Sequence, residues 1–207
     1  MKKSLYICGI IVLASTGMAR AALDFGGDWT ANTVIPDGNP VGIAVSQTFS
    51  SYAGYTLTSV DVALNISGGF NGDLYGSLVY QPANGNAATE ILLNRVGTTT
   101  GNPFGSAGSG FNVTLSDTGT ANGSIHNAPG NPMGTWLPDS SSSLNGTFGG
   151  LAANGTWTLF LADMSVGGGT ETLNSWGLDI EAVPEPAEYS LVAGALLMVA
   201  SVWRRRR

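Results

Sequence analysis

From Val60 to Ile66 the chain reads VDVALNI, and Val60, Val62, Leu64 and Ile66 take every second position. A period of two puts those side chains on one face of an extended strand. The same alternation recurs at Phe111, Val113 and Leu115, at Trp157, Leu159 and Leu161, and at Trp176, Leu178 and Ile180. Turn signals at Asn71-Gly72, Asn84-Gly85 and Asn154-Gly155 separate the runs. No helical period appears between the two ends of the chain. The pattern predicts an all-β sandwich of jelly-roll type. Trp157, Leu159, Trp176 and Leu178 are expected to fill its core, with MSVGGGTETLNS, residues 164–175, joining their strands as a hairpin-like connection. A sugar-stacking platform is the other use of such indoles. The glycine-rich stretches 97–110 and 122–136 read as long flexible loops.

The two ends follow different patterns. Residues 1–21 open with Lys2 and Lys3, continue through a short apolar run from Leu5 to Ala14, and close on the small residues Ala19 and Ala21. That order describes a secretory signal peptide, cut after Ala21 by signal peptidase. The chain's single cysteine, Cys8, leaves with it, so no disulfide is available to the exported protein. At the other end, Val183-Pro184-Glu185-Pro186 precedes an apolar segment, and Arg204, Arg205, Arg206 and Arg207 close the chain. An apolar helix over about 187–203, followed by cations, predicts a membrane anchor with its arginines on the cytoplasmic side. Pro184 and Pro186 predict an extended, exposed linker over 183–187. This three-part order resembles the PEP-CTERM sorting signal of Gram-negative bacteria. The resemblance implies handling by an exosortase, removal of the tail, and delivery to the cell surface or extracellular matrix. An ordinary permanent anchor is the alternative.

Removing both ends changes the charge. Between Ala22 and Val183 twelve acidic side chains face one basic one, Arg95, for a net −11. Such a surface repels nucleic acid and anionic lipid and tolerates divalent cations. The segment 22–182 is long enough for one domain with its own core. His126 is the only histidine. It sits in a Gly/Asn/Pro-rich stretch and is expected to be solvent-exposed. With one histidine and no cysteine, a zinc centre is not expected. No serine lies in a nucleophile turn, and Gly167–Gly169 lacks the lysine of a phosphate loop. The reading is non-catalytic.

The closing run NGTWTLFLADMSVGGGTETLNSWGLDI resembles the end of the P domain, or P/Homo B domain, of proprotein convertases and bacterial proteases. Gly155, Trp157, Leu159, Asp163, Leu173, Trp176 and Leu178 carry the resemblance. VIPDGNP, the Gly72-Asp73-Leu74 turn and WLPDSSSSLNGTFGG extend it over about 33–181. The family often has a histidine before that turn, where this chain reads SGGFNGDL. The resemblance implies calcium near the turn, with Asp73 and Asp163 as ligands. Asn71, also in the turn, and Asp117, just after the Phe111 strand, are further oxygen donors of the kind calcium takes. Simple turn capping is the alternative for each Asp.

These readings converge on an exported, non-catalytic module with a structural or adhesive role, in contact with exopolysaccharide. Two rivals stand beside it. One is an accessory domain of a serine endopeptidase system, acting in proteolysis beside a separate secreted protease. The other is a carbohydrate-binding module that uses Tyr75, Tyr80 and Trp136 on one flat surface.

Overall fold

The computed structural model describes residues 22–185 and Arg204. Nine strands follow in chain order: β1 Leu23–Ile35, β2 Ile43–Phe49, β3 Tyr55–Gly68, β4 Leu74–Pro82, β5 Ala88–Asn94, β6 Gly110–Leu115, β7 Met133–Trp136, β8 Gly155–Asp163 and β9 Glu171–Pro184. A short helix, α1, spans Leu144–Phe148. The strands form two sheets. One has the order β1-β9-β3-β6-β7 and the other β2-β8-β4-β5. Neighbours are antiparallel except β6 and β7, which run parallel. The all-β expectation holds.

The period-two residues face each other between the sheets. Val60, Val62, Leu64 and Ile66 of β3 are buried, as are Trp157, Leu159 and Leu161 of β8 and Trp176, Leu178 and Ile180 of β9. Tyr80 stacks on Trp157 at 4.0 Å between ring centroids, and Phe148 meets the same indole edge-on at 4.9 Å. Burying side chains of that size contributes a large share of the hydrophobic stabilisation of a core with no disulfide. Tyr80 is therefore core and does not join a sugar-binding surface. Tyr75 lies on β4 and Trp136 on β7, in different sheets, so the three aromatics form no common face.

The glycine-rich segment between β8 and β9 is not a hairpin. β8 belongs to the four-stranded sheet and β9 to the five-stranded one, so the segment crosses from one sheet to the other. The chain makes such crossings repeatedly. Only β4–β5 and β6–β7 are consecutive strands that stay in one sheet.

α1 is held from outside itself. Ser143 caps it by accepting the Gly146 N–H at 2.9 Å. Asp117 accepts the Leu144 and Asn145 N–H groups, each at 2.9 Å. Buried Glu90 accepts hydrogen bonds from Ser142 Oγ and Thr147 Oγ1. Four serines in a row gave no apolar period to announce a helix. Asp117, from another part of the chain, and the N-cap Ser143 satisfy its N-terminal N–H groups, while Glu90 holds the flanking hydroxyls.

The C-terminal boundary also differs from expectation. β9 runs through Val183 and Pro184, which pair with Thr56 and Tyr55 of β3. Pro184 is tolerated because β1 ends its pairing with β9 at Leu23 and Ala182, so that end of β9 has a free side. The Glu185 N–H then bonds the Gly54 carbonyl. Val183 to Glu185 are thus part of the sandwich and not an exposed linker. The remaining expectations for the ends, including the signal peptide, Pro186, the apolar segment and Arg205–Arg207, fall outside the described residues. Among the described residues no helix is long and apolar enough to cross a membrane.

Candidate functional site

Four connections meet at one end of the sandwich: 36–42 after β1, 69–73 after β3, the stretch following β5, and 164–170 after β8. Beneath them lie three acidic residues, Asp73, Asp163 and Glu171, all buried. Register brings them together. Leu74 pairs with Asp163, and Gly68 pairs with Glu171. One oxygen of each of two carboxyls is accounted for: Asp163 Oδ1 accepts the Ser165 N–H at 2.9 Å, and Glu171 Oε1 accepts the Phe70 N–H at 2.9 Å. Asp163 Oδ2 and Glu171 Oε2 are buried with no hydrogen-bond partner. Two such oxygens demand a positive or hydrogen-bearing neighbour.

The protonation chemistry agrees. Burial pushes the Glu171 carboxyl up, the Phe70 N–H pulls it down, and adjacent Asp163 raises it again, to about 7. A proton held between Glu171 and Asp163 answers both orphaned oxygens. Asp73 is likewise raised, first by burial and then by Asp163, with Arg95 opposing. The Arg95 guanidinium stands 3.9 Å from Asp73 and donates to the Gly72 carbonyl at 3.2 Å.

The glycines explain how a loop lies so close over this group. A Cβ on Gly168 would stand 2.5 Å from Phe70 Cβ and 2.9 Å from Asp73 Oδ2. A Cβ on Gly69 would stand 2.0 Å from Glu171 Oε1. Asp37 reaches across from the first connection and accepts the Gly167 N–H at 3.0 Å. The glycine loop is a cover for the carboxyl group cluster, which no periodicity in the sequence announces.

Of the four proposed calcium donors, the structure brings Asp73 and Asp163 together and adds Glu171. Asn71 lies next to them but is fully engaged. Its side chain donates to the Gly110 and Gly130 carbonyls and accepts the Gly110 N–H at 2.8 Å. Asp117 is elsewhere, spent on α1. Both are anchors of the protein's own backbone. Among the described residues no group of three or more His, Cys, Asp or Glu side chains is arranged as a metal centre. The orphaned oxygens of Asp163 and Glu171 are buried features that suit a cation.

His126 is not exposed as expected. Its Nδ1 lies 2.9 Å from Asp139 Oδ2 and its Nε2 lies 2.8 Å from the Thr98 carbonyl oxygen. The carbonyl only accepts, and Asp139 Oδ2 already accepts the Asn94 N–H at 2.9 Å. A carboxyl and a carbonyl thus face the two ring nitrogens, an arrangement that favours the protonated ring. Burial lowers the His126 value, but Asp139 and the Thr98 carbonyl more than reverse it, and the net shift is upward. The same contacts fasten the stretch 97–110, against the expectation of a flexible loop. Thr99 and Asn102 pair through their backbones, and the Gly97 N–H bonds the His126 carbonyl.

A second acidic region lies on the outer face of the five-stranded sheet. Asp24, Asp28, Asp61 and Asp179 line an open groove of about 480 Å³ floored by Gly26, Gly177 and Ala63. Asp61 is raised, first by burial, with Ser116 opposing and Asp179 adding to the rise. The groove is shallow; Asp24, Asp28 and Asp179 face solvent, and Asp61 is half-buried.

No family model matches the chain. No curated protein matches it either. Among solved structures the chain is similar to a serine protease of Aeromonas sobria, at 15% identity and a TM-score of 0.46, over 78% of this chain and 27% of that one. The chain thus spans about a quarter of that protease's length.

Proposed function

We propose that the chain is an exported, non-catalytic β-sandwich of P-domain-like, jelly-roll type, sorted to the cell surface or matrix by an exosortase, with a structural or adhesive role. The observation that carries the non-catalytic reading is His126. A general base needs a free ring nitrogen aimed at a nucleophile. Here one nitrogen is held by Asp139 and the other by a backbone carbonyl. The P-domain-like reading is supported by the closing segment, where Trp157 and Trp176 enter the core from opposite sheets.

Calcium belongs to the same proposal. Asp163 and Glu171 fit as its donors, with Asp73 adjoining, because their unpartnered oxygens suit a hard cation. Bound there, it would supply charge neutralisation in place of a proton and would fasten the loop end. Asn71 and Asp117 are left out of the donor set.

The test of the non-catalytic reading is direct. The full-length chain, solubilised in neutral detergent, should hydrolyse no peptide substrate. Turnover that disappears on His126→Ala would overturn the reading and favour the endopeptidase alternative.

A further inference from the structure

Five Asn-Gly pairs punctuate the chain, at Asn71-Gly72, Asn84-Gly85, Asn122-Gly123, Asn145-Gly146 and Asn154-Gly155. Such a pair carries its own chemistry. The glycine has no Cβ to keep its backbone nitrogen away from the preceding side-chain amide. Whether the two groups meet depends on how the fold holds them.

Four of the pairs are tied at both partners. Asn71 donates to the Gly110 and Gly130 carbonyls, and the Gly72 N–H is bonded to the Ser106 carbonyl at 3.0 Å. Asn122 donates to the Thr135 carbonyl at 2.9 Å, and the Gly123 N–H is bonded to the Gly119 carbonyl at 3.0 Å. Asn145 Oδ1 accepts the Val60 N–H at 2.9 Å, and the Gly146 N–H is bonded to Ser143 Oγ at 2.9 Å. Asn154 Oδ1 accepts the Tyr52 N–H at 2.6 Å, and Gly155 opens β8, in register with Phe49 on one side and Pro82 on the other. To react, each of these pairs must first open locally and break those contacts.

Asn84-Gly85 differs at both partners. It sits at the tip of the β4–β5 hairpin, where residues 83–87 are all exposed. Among the described residues no hydrogen bond engages the Asn84 side chain or the Gly85 N–H. Gln81 Nε2 holds only the Gly85 carbonyl, at 3.1 Å. A Cβ on Gly85 would meet only Pro82 Cγ, at 3.6 Å, so the turn has room to move.

We propose that Asn84 is a site of spontaneous covalent modification, where the folded chain deamidates through Gly85 while its other four Asn-Gly pairs are protected. The Gly85 nitrogen loses its proton to a solvent base and attacks Asn84 Cγ. A C–N bond forms, the bond from Cγ to the side-chain nitrogen breaks, and that nitrogen takes a proton and leaves as ammonia. Water then opens the succinimide ring at either carbonyl. One opening gives aspartate at position 84. The other gives isoaspartate, in which the backbone runs through Cγ and is longer by a carbon. Either product puts a carboxylate on a stretch, 81–89, that carries no charge. Asn84 also lines a cleft of about 170 Å³ with Gly54 and Glu185, so the new charge arises beside Glu185, at the junction with the tail. The reaction consumes only water and does not depend on the sorting proposal.

The test incubates the full-length chain in neutral detergent at mildly alkaline pH, in water enriched in heavy oxygen, beside a sample held in denaturant. Peptide mapping by mass spectrometry reads deamidation and label uptake at each of the five asparagines. In the folded sample Asn84 should convert about tenfold or more faster than any of the other four, because they must break hydrogen bonds first. In denaturant the four should gain on Asn84. Asn84→Gln should remove the early acidic species on isoelectric focusing and keep the melting temperature. An Asn84 that converts no faster than the other four in the folded chain would overturn the inference. The same lead for Asn84 in denaturant would also overturn it, by tracing the difference to local sequence instead of the fold.

Discussion

His126 acts through the hydrogen bonds it donates. It ties together three segments that are far apart in sequence, at Thr98, at its own position and at Asp139. Its folded value is raised, while an unfolded imidazole titrates near ~6.5. The stabilisation is therefore complete below that unfolded value and is lost as pH rises through the folded one. Denaturant midpoints of the full chain in neutral detergent should fall as pH goes from 6 to 8. His126→Gln should be less stable at pH 6 and show a shallower fall across the interval, the remainder coming from Glu171, whose carboxyl is pushed up to about 7 and loses stability over the same range. An unchanged slope in that variant would assign the pH dependence to another group. The sequence identified this residue but misplaced it. Gly, Asn and Pro neighbours mark a segment outside regular structure, and they carry no information about a carboxylate thirteen residues on. Asn71 teaches the same lesson. Its place in a turn was legible, but its commitment to Gly110 and Gly130 depends on loops folded against it from elsewhere.

At the scale of elements, alternation locates β3, β6, β8 and β9, because a two-residue period is a local property, and leaves β1, β2, β4, β5 and β7 unannounced. Pairing is not local. Most consecutive strands here lie in different sheets, so adjacency in sequence is a poor guide, and the hairpin expected between β8 and β9 is a crossing between sheets. The β4–β5 hairpin at Asn84-Gly85 is the case where the local turn signal and the topology agree. The short helix α1 has no local signal because its anchors, Asp117 and Glu90, lie on other parts of the chain. The cover over the carboxyls yields a prediction at this scale. Gly168 has an ordinary φ, so Gly168→Ala acts through collision with Phe70 and Asp73 alone. Gly167 has φ 103° with no atom within 4 Å of an added Cβ, so Gly167→Ala acts through backbone strain alone. The first should cost about 1–3 kcal/mol as an overpacked site, and the second about 1–2 kcal/mol. The two are separated by calcium titration, because only Gly168→Ala presses on the carboxyl cluster. Equal calcium response in both variants would detach the loop from the site.

For the whole molecule, calcium is expected to bind the folded chain in preference to the unfolded one and so raise stability by mass action. At a concentration 100 times its dissociation constant the gain is ~2.7 kcal/mol. Asp163→Asn and Glu171→Gln should each remove most of that gain. Asp117→Asn should lower stability with or without calcium and leave the gain intact, since Asp117 holds α1. Chelator-stripped protein whose melting temperature does not move in millimolar calcium would remove the ion from the account.

The central claim is that the sandwich is exported and freed of its tail, and the masses of its two ends test it most directly. Pro184 is buried in β9 and the Glu185 N–H is bonded to Gly54, so a protease reaches the chain only beyond that point. Mass spectrometry of surface and medium fractions from the producing cells should find a chain that starts near Ala22 and ends between Glu185 and Ala187. A protein that keeps Arg204 to Arg207 in the inner membrane, in cells where an exosortase is active, would contradict the account and leave a permanent anchor in its place.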